Sequence, residues 1–219
     1  MNTQNQHLDA LQDIKKMMER SSRFISLSGL SGIAAGSCAL IGACYARYII
    51  VSNLTKSTYS KDLADLGIYG IDSRLYFEQL TDKLFMVAAF TFIAAFTLAS
   101  LFTYLKSKKE GISFWGKASK RLMFNVSIPM IAGGIFVLKL LENGFISLVA
   151  PSCLIFYGLS LVHASKYTLG EVRYLGYGQI ILGLINLWFV GKGLYFWAAG
   201  FGVLHILYGA IMWWKYERN

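Results

Sequence analysis

Apolar positions in this chain gather into long blocks divided by short polar breaks. Four such runs, roughly 122–141, 145–165, 172–190 and 194–214, lie between Leu122 and Tyr216. Each is near the ~20 residues that carry a helix across a ~30 Å hydrocarbon layer. Leu141-Glu142-Asn143-Gly144 joins the first pair and Val190-Gly191-Lys192-Gly193 the second, so each pair is predicted to be an antiparallel hairpin. Upstream lie two further runs, about 24–51 and 84–105, separated by the one long polar connection, 52–81. Within that connection, Asp72 to Leu80 is a candidate extension of the next helix. Residues 6–22 place Leu8, Leu11, Ile14 and Met18 at helical spacing, with Asp9, Asp13, Lys16 and Arg20 on other faces. The pattern predicts an all-α membrane protein: a cytoplasmic amphipathic helix over 1–23, then six transmembrane helices in a single domain, 24–219, arranged as three antiparallel hairpins.

Composition agrees with the pattern. The 219 residues are 55% hydrophobic and 15% charged, with a mean hydropathy of +0.48, too apolar for an ordinary soluble domain. A formal net charge of +9 would suggest nucleic acid in a soluble protein. Here the cations sit beside apolar runs, which is a topology signature, and no nucleic-acid partner is expected. From Lys106 to Arg121 the basic residues are Lys106, Lys108, Lys109, Lys117, Lys120 and Arg121, against Glu110 alone. This loop is assigned to the cytoplasm, which puts both termini inside and the 52–81 connection and both tight turns outside. Trp188 and Trp197 then fall near the outer ends of spans, and Trp213 and Trp214 near the inner end. Cys38, Cys44 and Cys153 all lie inside apolar runs, so no disulfide framework is expected. About 22 mostly polar residues precede the first run, which is longer than a signal-peptide core and is expected to remain as an anchor.

Packing signals come before chemical ones. The first span carries small residues at steps of three and four, among them Gly32 and Gly36 in GxxxG spacing. That stripe is either a homo-oligomer seam or the seat of another helix of the same chain. Buried ionisable groups, the usual pointers to function in a membrane, are few. His205 is the deep one, about 12 residues from its outer turn, and a neutral imidazole bonded to a tyrosine or a backbone carbonyl accounts for it. Haem held between His163 and His205 is disfavoured by depth, since the two differ by ~10 Å along their helices. Asn125, Ser127 and Asn186 are the other polar side chains singled out within spans, as interhelical hydrogen-bonding groups or as lining for a polar path. Pro129 and Pro151 mark helix breaks that expose backbone, or else tolerated kinks or first-turn positions, Pro151 lying about two turns in from Gly144. No catalytic, metal-binding or cofactor-binding constellation emerges.

The last two hairpins echo each other. Ile155-Phe156-Tyr157-Gly158 is answered by Ile206-Leu207-Tyr208-Gly209, and Ser165-Lys166-Tyr167 by Trp214-Lys215-Tyr216. Either a hairpin was duplicated, or Tyr, Gly and Lys simply recur at membrane edges. The segments Ile155-Phe156-Tyr157-Gly158-Leu159, Ala164-Ser165-Lys166-Tyr167-Thr168, Arg173-Tyr174-Leu175-Gly176 and Gly200-Phe201-Gly202-Val203-Leu204-His205-Ile206 carry a resemblance. So does the opening Ile14-Lys15-Lys16-Met17-Met18-Glu19-Arg20-Ser21-Ser22-Arg23-Phe24. With these segments the chain resembles a group of uncharacterised Bacteroidota six-helix inner-membrane proteins, outside about 52–81. In hairpin pattern alone it is similar to the HdeD-type membrane proteins. The resemblance implies a multi-pass protein of the bacterial inner (cytoplasmic) membrane. In that group the positions of His163 and Gln179 commonly hold Asn and Glu. The functional expectation is a non-enzymatic, envelope- or stress-related module that binds a hydrophobic ligand or protein partner, with a small-solute transporter or channel as the alternative. His205, Asn186 and Asn125 are its candidate ligand or polar-path residues.

Overall fold

A computed structural model describes residues 27–65, 73–111 and 113–218; for 54–78 it describes only the course of the helices. The amphipathic helix predicted over 1–23 lies outside the described residues. All regular structure among the described residues is helical. We number the helices α1 (Gly29–Asp65), α2 (Ser73–Lys109), α3 (Lys117–Glu142), α4 (Val149–Ala164), α5 (Val172–Asn186) and α6 (Gly193–Tyr216). A single 3-10 turn, Ile146–Leu148, leads into α4.

Five segments are long and apolar enough to cross a membrane: Gly29–Asn53, Gln79–Lys109, Lys117–Glu142, Ile146–Ala164 and Gly193–Tyr216. The sixth predicted span, 172–190, is a shorter helix. α5 has 15 residues, ~22 Å of rise against the ~30 Å needed. After Asn186 the chain tightens into turns, with the amides of Leu187, Trp188 and Phe189 each bonding the carbonyl three residues back. Apolar residues continue to Val190, so hydropathy alone overruns the helix end. The 52–81 connection differs in the other direction at its start, where α1 runs on to Asp65; at its end α2 starts at Ser73, within the Asp72–Leu80 extension that the sequence offered. Polar composition removed the membrane signal there without removing the helix. Residues 66–72 lie outside the described residues.

The turn after α3 shows why so short a link suffices. Phe145 N–H bonds Leu140 O at 2.8 Å and Gly144 N–H bonds Leu141 O at 3.0 Å, the paired bonds of a Schellman cap. Gly144 takes the positive φ of 76° that this cap requires.

Glycines set which helices meet. α4 and α5 share the most extensive contact. Gly158 and Gly176 lie in it, where a Cβ on either would fall within 2.8 Å of the other's carbonyl oxygen. α6 packs chiefly along α1, through Gly29, Gly32 and Gly36 on one side and Gly202 and Gly209 on the other. These seams cross between the predicted hairpins: α5's main partner is α4, the helix before it, and α6's is α1. α2 packs on α1 and α3 on α4, while α6 also touches α4 and α5. Extensive packing between α2 and α3 is absent among the described residues. The helices therefore follow an arc, α2–α1–α6–α4–α3, with α5 behind and α2 and α3 as its free ends.

Candidate functional site: an apolar cleft with a histidine floor

Where the arc fails to close, a partly open cavity of about 390 Å³ remains. α2 supplies one wall with Ala88, Thr91, Phe92, Ala95, Phe96 and Ala99, and α3 the other with Met130, Gly133, Gly134 and Val137. Ala35 and Ala39 come from α1, Cys153, Phe156 and Tyr157 from α4, and Trp197, Phe201 and His205 from α6. No Lys, Arg, Asp or Glu is among these residues. Small side chains on α1, α2 and α3 leave the space, and aromatic rings shape it. Phe92 and Phe96 remain more than half exposed, which places the mouth at α2.

The floor is polar and ordered. His205 is 6% exposed. Its Nδ1 lies 3.0 Å from Gly200 O, and its Nε2 lies 2.8 Å from the hydroxyl of Tyr157. A carbonyl can only accept, so Nδ1 carries the proton, and Nε2 receives the hydrogen bond that Tyr157 O–H donates. Gln179, fully buried on α5, donates its side-chain N–H to the same Gly200 O at 2.8 Å. The 3.4 Å approach of Gln179 Nε2 to His205 Nδ1 is therefore two donors converging on one acceptor. Rings reinforce the arrangement: Phe201 stands 5.1 Å from Tyr157 and 5.2 Å from Trp197, centroid to centroid.

Gly200 O is placed by a change of helical pitch. From Ala198 to Leu204, α6 widens into a π-helix before resuming its α course at His205. Such bulges recur at functional sites because they re-aim backbone groups. Gly200 also lets α6 approach Leu154 and Gln179, since an added Cβ would lie 2.4 Å and 2.5 Å from their nearest atoms.

The other predicted residues lie apart from this floor. Asn186 is buried at the end of α5, where its Nδ2 bonds Phe189 O across the turn. Asn125 returns its side-chain N–H to Arg121 O, and its own carbonyl lies 3.2 Å from His163 Nδ1. His163 thus pairs with α3 and His205 with α4. Gly32 and Gly36 sit in the α1–α6 seam: a Cβ on Gly36 would be 2.6 Å from Gly202 O, and one on Gly32 3.0 Å from the Cα of Gly209. Tyr157, Gln179 and Gly200 were not singled out for the site by sequence reasoning. Gln179, an amide within an apolar run, was the signal available.

At the opposite end of α6 from Gly193, two polar knots tie the helices together. Glu217 accepts from Gly29 N–H at 2.6 Å, Ser28 Oγ at 3.2 Å and Lys106 Nζ at 3.1 Å, and Lys106 also donates to Leu27 O. A carboxylate from residue 217 thereby caps the first turn of α1, where free amides and the helix dipole favour negative charge. Glu171, in the link between α4 and α5, accepts from Lys215 at 2.6 Å and Tyr216 at 2.7 Å. Those two bonds, Lys215 first, hold its pKa down at about 2.

Fold and cleft together are those of a helical protein with an apolar cavity and several helices long and apolar enough to span a membrane, consistent with a multi-pass membrane protein. Comparison of the chain with family models, curated proteins and solved structures finds no match. Among the described residues no three His, Cys, Asp or Glu side chains cluster as a metal site would.

Proposed function

We propose that this is a non-enzymatic module of the bacterial inner membrane that binds a hydrophobic ligand in the cleft between α2 and α3. The observation that carries this reading is the cleft itself. Its volume, about 390 Å³, lies within the range of ligand pockets, ~300–1,000 Å³. Its lining is apolar apart from Thr91, whose hydroxyl donates to its own helix at Val87 O, and a polar floor, the usual division between residues that hold a ligand and residues that orient it. In a bilayer the mouth faces hydrocarbon, so an apolar ligand enters laterally without crossing water. We further read six crossings as three successive antiparallel hairpins with both termini inside, α5 completing its crossing through the turns that follow it. The basic 106–121 loop supports that orientation. Binding is favoured over solute transport by the scatter of Asn125, Asn186 and His205 among separate contacts.

Native mass spectrometry of the full chain in a mild detergent tests the proposal. A reproducible bound mass is expected on the unaltered chain. Gly134→Leu should lose it while remaining folded, because Gly134 lines the cavity and a Cβ there meets no atom within 4 Å. A bare unaltered chain, or a bound mass that survives Gly134→Leu unchanged, overturns the assignment.

A further inference from the structure

The hydrogen bonds of the floor limit what kind of ligand fits it. Both ring nitrogens of His205 are committed, Nδ1–H to Gly200 O and Nε2 to the Tyr157 hydroxyl. The single proton of Tyr157 is likewise committed. Among the floor residues that line the cleft, what remains is the lone-pair side of the phenolic oxygen, an acceptor with no donor to offer; Gln179 Oε1 is also without a partner, and also an acceptor, but its residue does not line the cleft. A ligand atom that can only accept meets a like partner there and leaves its own hydrogen bonding unmet, which is costly away from water. A ligand hydroxyl can donate, and so completes the site.

Charge and depth narrow the class further. The residues lining the cleft carry no charge, so an ionic headgroup would find no counter-ion. His205 lies twelve residues in from Gly193, ~18 Å along the helix and past the middle of a ~30 Å hydrocarbon layer. Drawing a phosphodiester or carboxylate to that depth would strip its hydration without replacing it. Ordinary phospholipids can place only their chains in the cleft.

Accepting the cleft as a binding site, we infer that its ligand is a neutral lipid alcohol. This is an uncharged, largely apolar molecule with a terminal hydroxyl, whose O–H donates to the phenolic oxygen of Tyr157. The aromatic rings of Phe156, Phe201 and Trp197 enclose the part of the molecule next to that hydroxyl.

Tryptophan quenching by brominated lipids in detergent micelles tests this, with Trp197→Phe isolating the signal that arises in the cleft. Four probes share one dibrominated C18 chain: the alcohol, its methyl ether, the fatty acid and a phosphatidylcholine. The alcohol should bind about 5- to 10-fold more tightly than the ether, the range expected for one sheltered hydrogen bond, and more tightly than either charged probe. In His205→Phe the Tyr157 proton is released to donate to the ligand, so the ether should gain and the ratio fall to within about twofold. Equal affinity for alcohol and ether in the unaltered chain overturns the hydroxyl assignment and leaves the cleft standing. A preference for either charged probe overturns it also. Absence of Trp197 quenching by every probe removes the binding site itself. If His205→Phe does not fold, the alcohol-to-ether ratio of the unaltered chain decides.

Discussion

Gly133 and Gly134 are adjacent on α3, yet a Cβ added at the first would lie 2.5 Å from Cβ of Phe156, while one added at the second meets no atom within 4 Å. One residue seats α3 on α4 and the other keeps the cleft open. Gly36 belongs with the first kind, because the atoms it would strike include backbone of α6, which cannot rotate away. Gly36→Leu and Gly133→Leu are each expected to destabilise the detergent-solubilised protein by roughly 1–3 kcal/mol. Thermal unfolding checks this, and an unchanged midpoint for Gly36→Leu would show that α1 and α6 do not meet as described. At this scale the sequence was informative about need rather than partner. Depth along the span marked His205 as a group requiring hydrogen bonds. Nothing in the spacing indicated that Tyr157 and Gly200 O would supply them, because that depends on how α4 and α6 are rotated against each other.

Of the two readings of the prolines, helix break or tolerated position, the second holds, and the one π-helical change of pitch among the described residues lies where no proline stands. Pro129 sits within α3 without ending it, and Pro151 falls in the opening turn of α4, where its missing N–H costs nothing. The change of pitch lies instead in α6, at Ala198–Leu204, around Gly200 and Gly202. Hydropathy locates membrane helices well wherever their ends coincide with polar residues, as at Glu142. It fails where apolar residues continue past the helix, as after Asn186, or polar residues continue within one, as in 52–65. The link between α4 and α5 offers a measurable test at this scale. Glu171 holds its proton less tightly in the folded chain, at about 2, than its ordinary value of 4.5. As pH falls, the unfolded state is therefore protonated first. The stability that Glu171 contributes is complete above about pH 4.5 and is lost as pH drops towards 2. Glu171→Gln should flatten the pH dependence of unfolding in that window, and identical profiles for the two chains would refute it.

Over the whole molecule, the pairing of helices follows small residues more than chain order. The α1–α6 seam joins the first described helix to the last; local pattern marked its face on α1, in the small residues around Gly32 and Gly36, but not the helix that would fill it. The same long-range seam is reinforced by polar contacts of Glu217 and Lys106, whose side chains are only 14% and 12% exposed. Sheltering from water strengthens the attraction within such a pair but also costs desolvation of both charges; removing the Glu217 carboxylate leaves Lys106 with Glu110 at 3.8 Å and Leu27 O, and leaves the Gly29 amide without its acceptor. Glu217→Gln should lower stability by about 1–2 kcal/mol and accelerate hydrogen exchange at the first amides of α1. Unaltered exchange at Gly29 would mean that Glu217 does not cap that helix.

That cap also has a consequence in time. α1 is made early and its first amide waits 188 residues for the carboxylate that bonds it. During synthesis the opening turn of α1 must borrow water or lipid headgroups as partners, and α6 must reach its seam before the exchange can occur. The joining of α6 to α1 is thus a late event in assembly. Until then the cleft lacks its histidine floor.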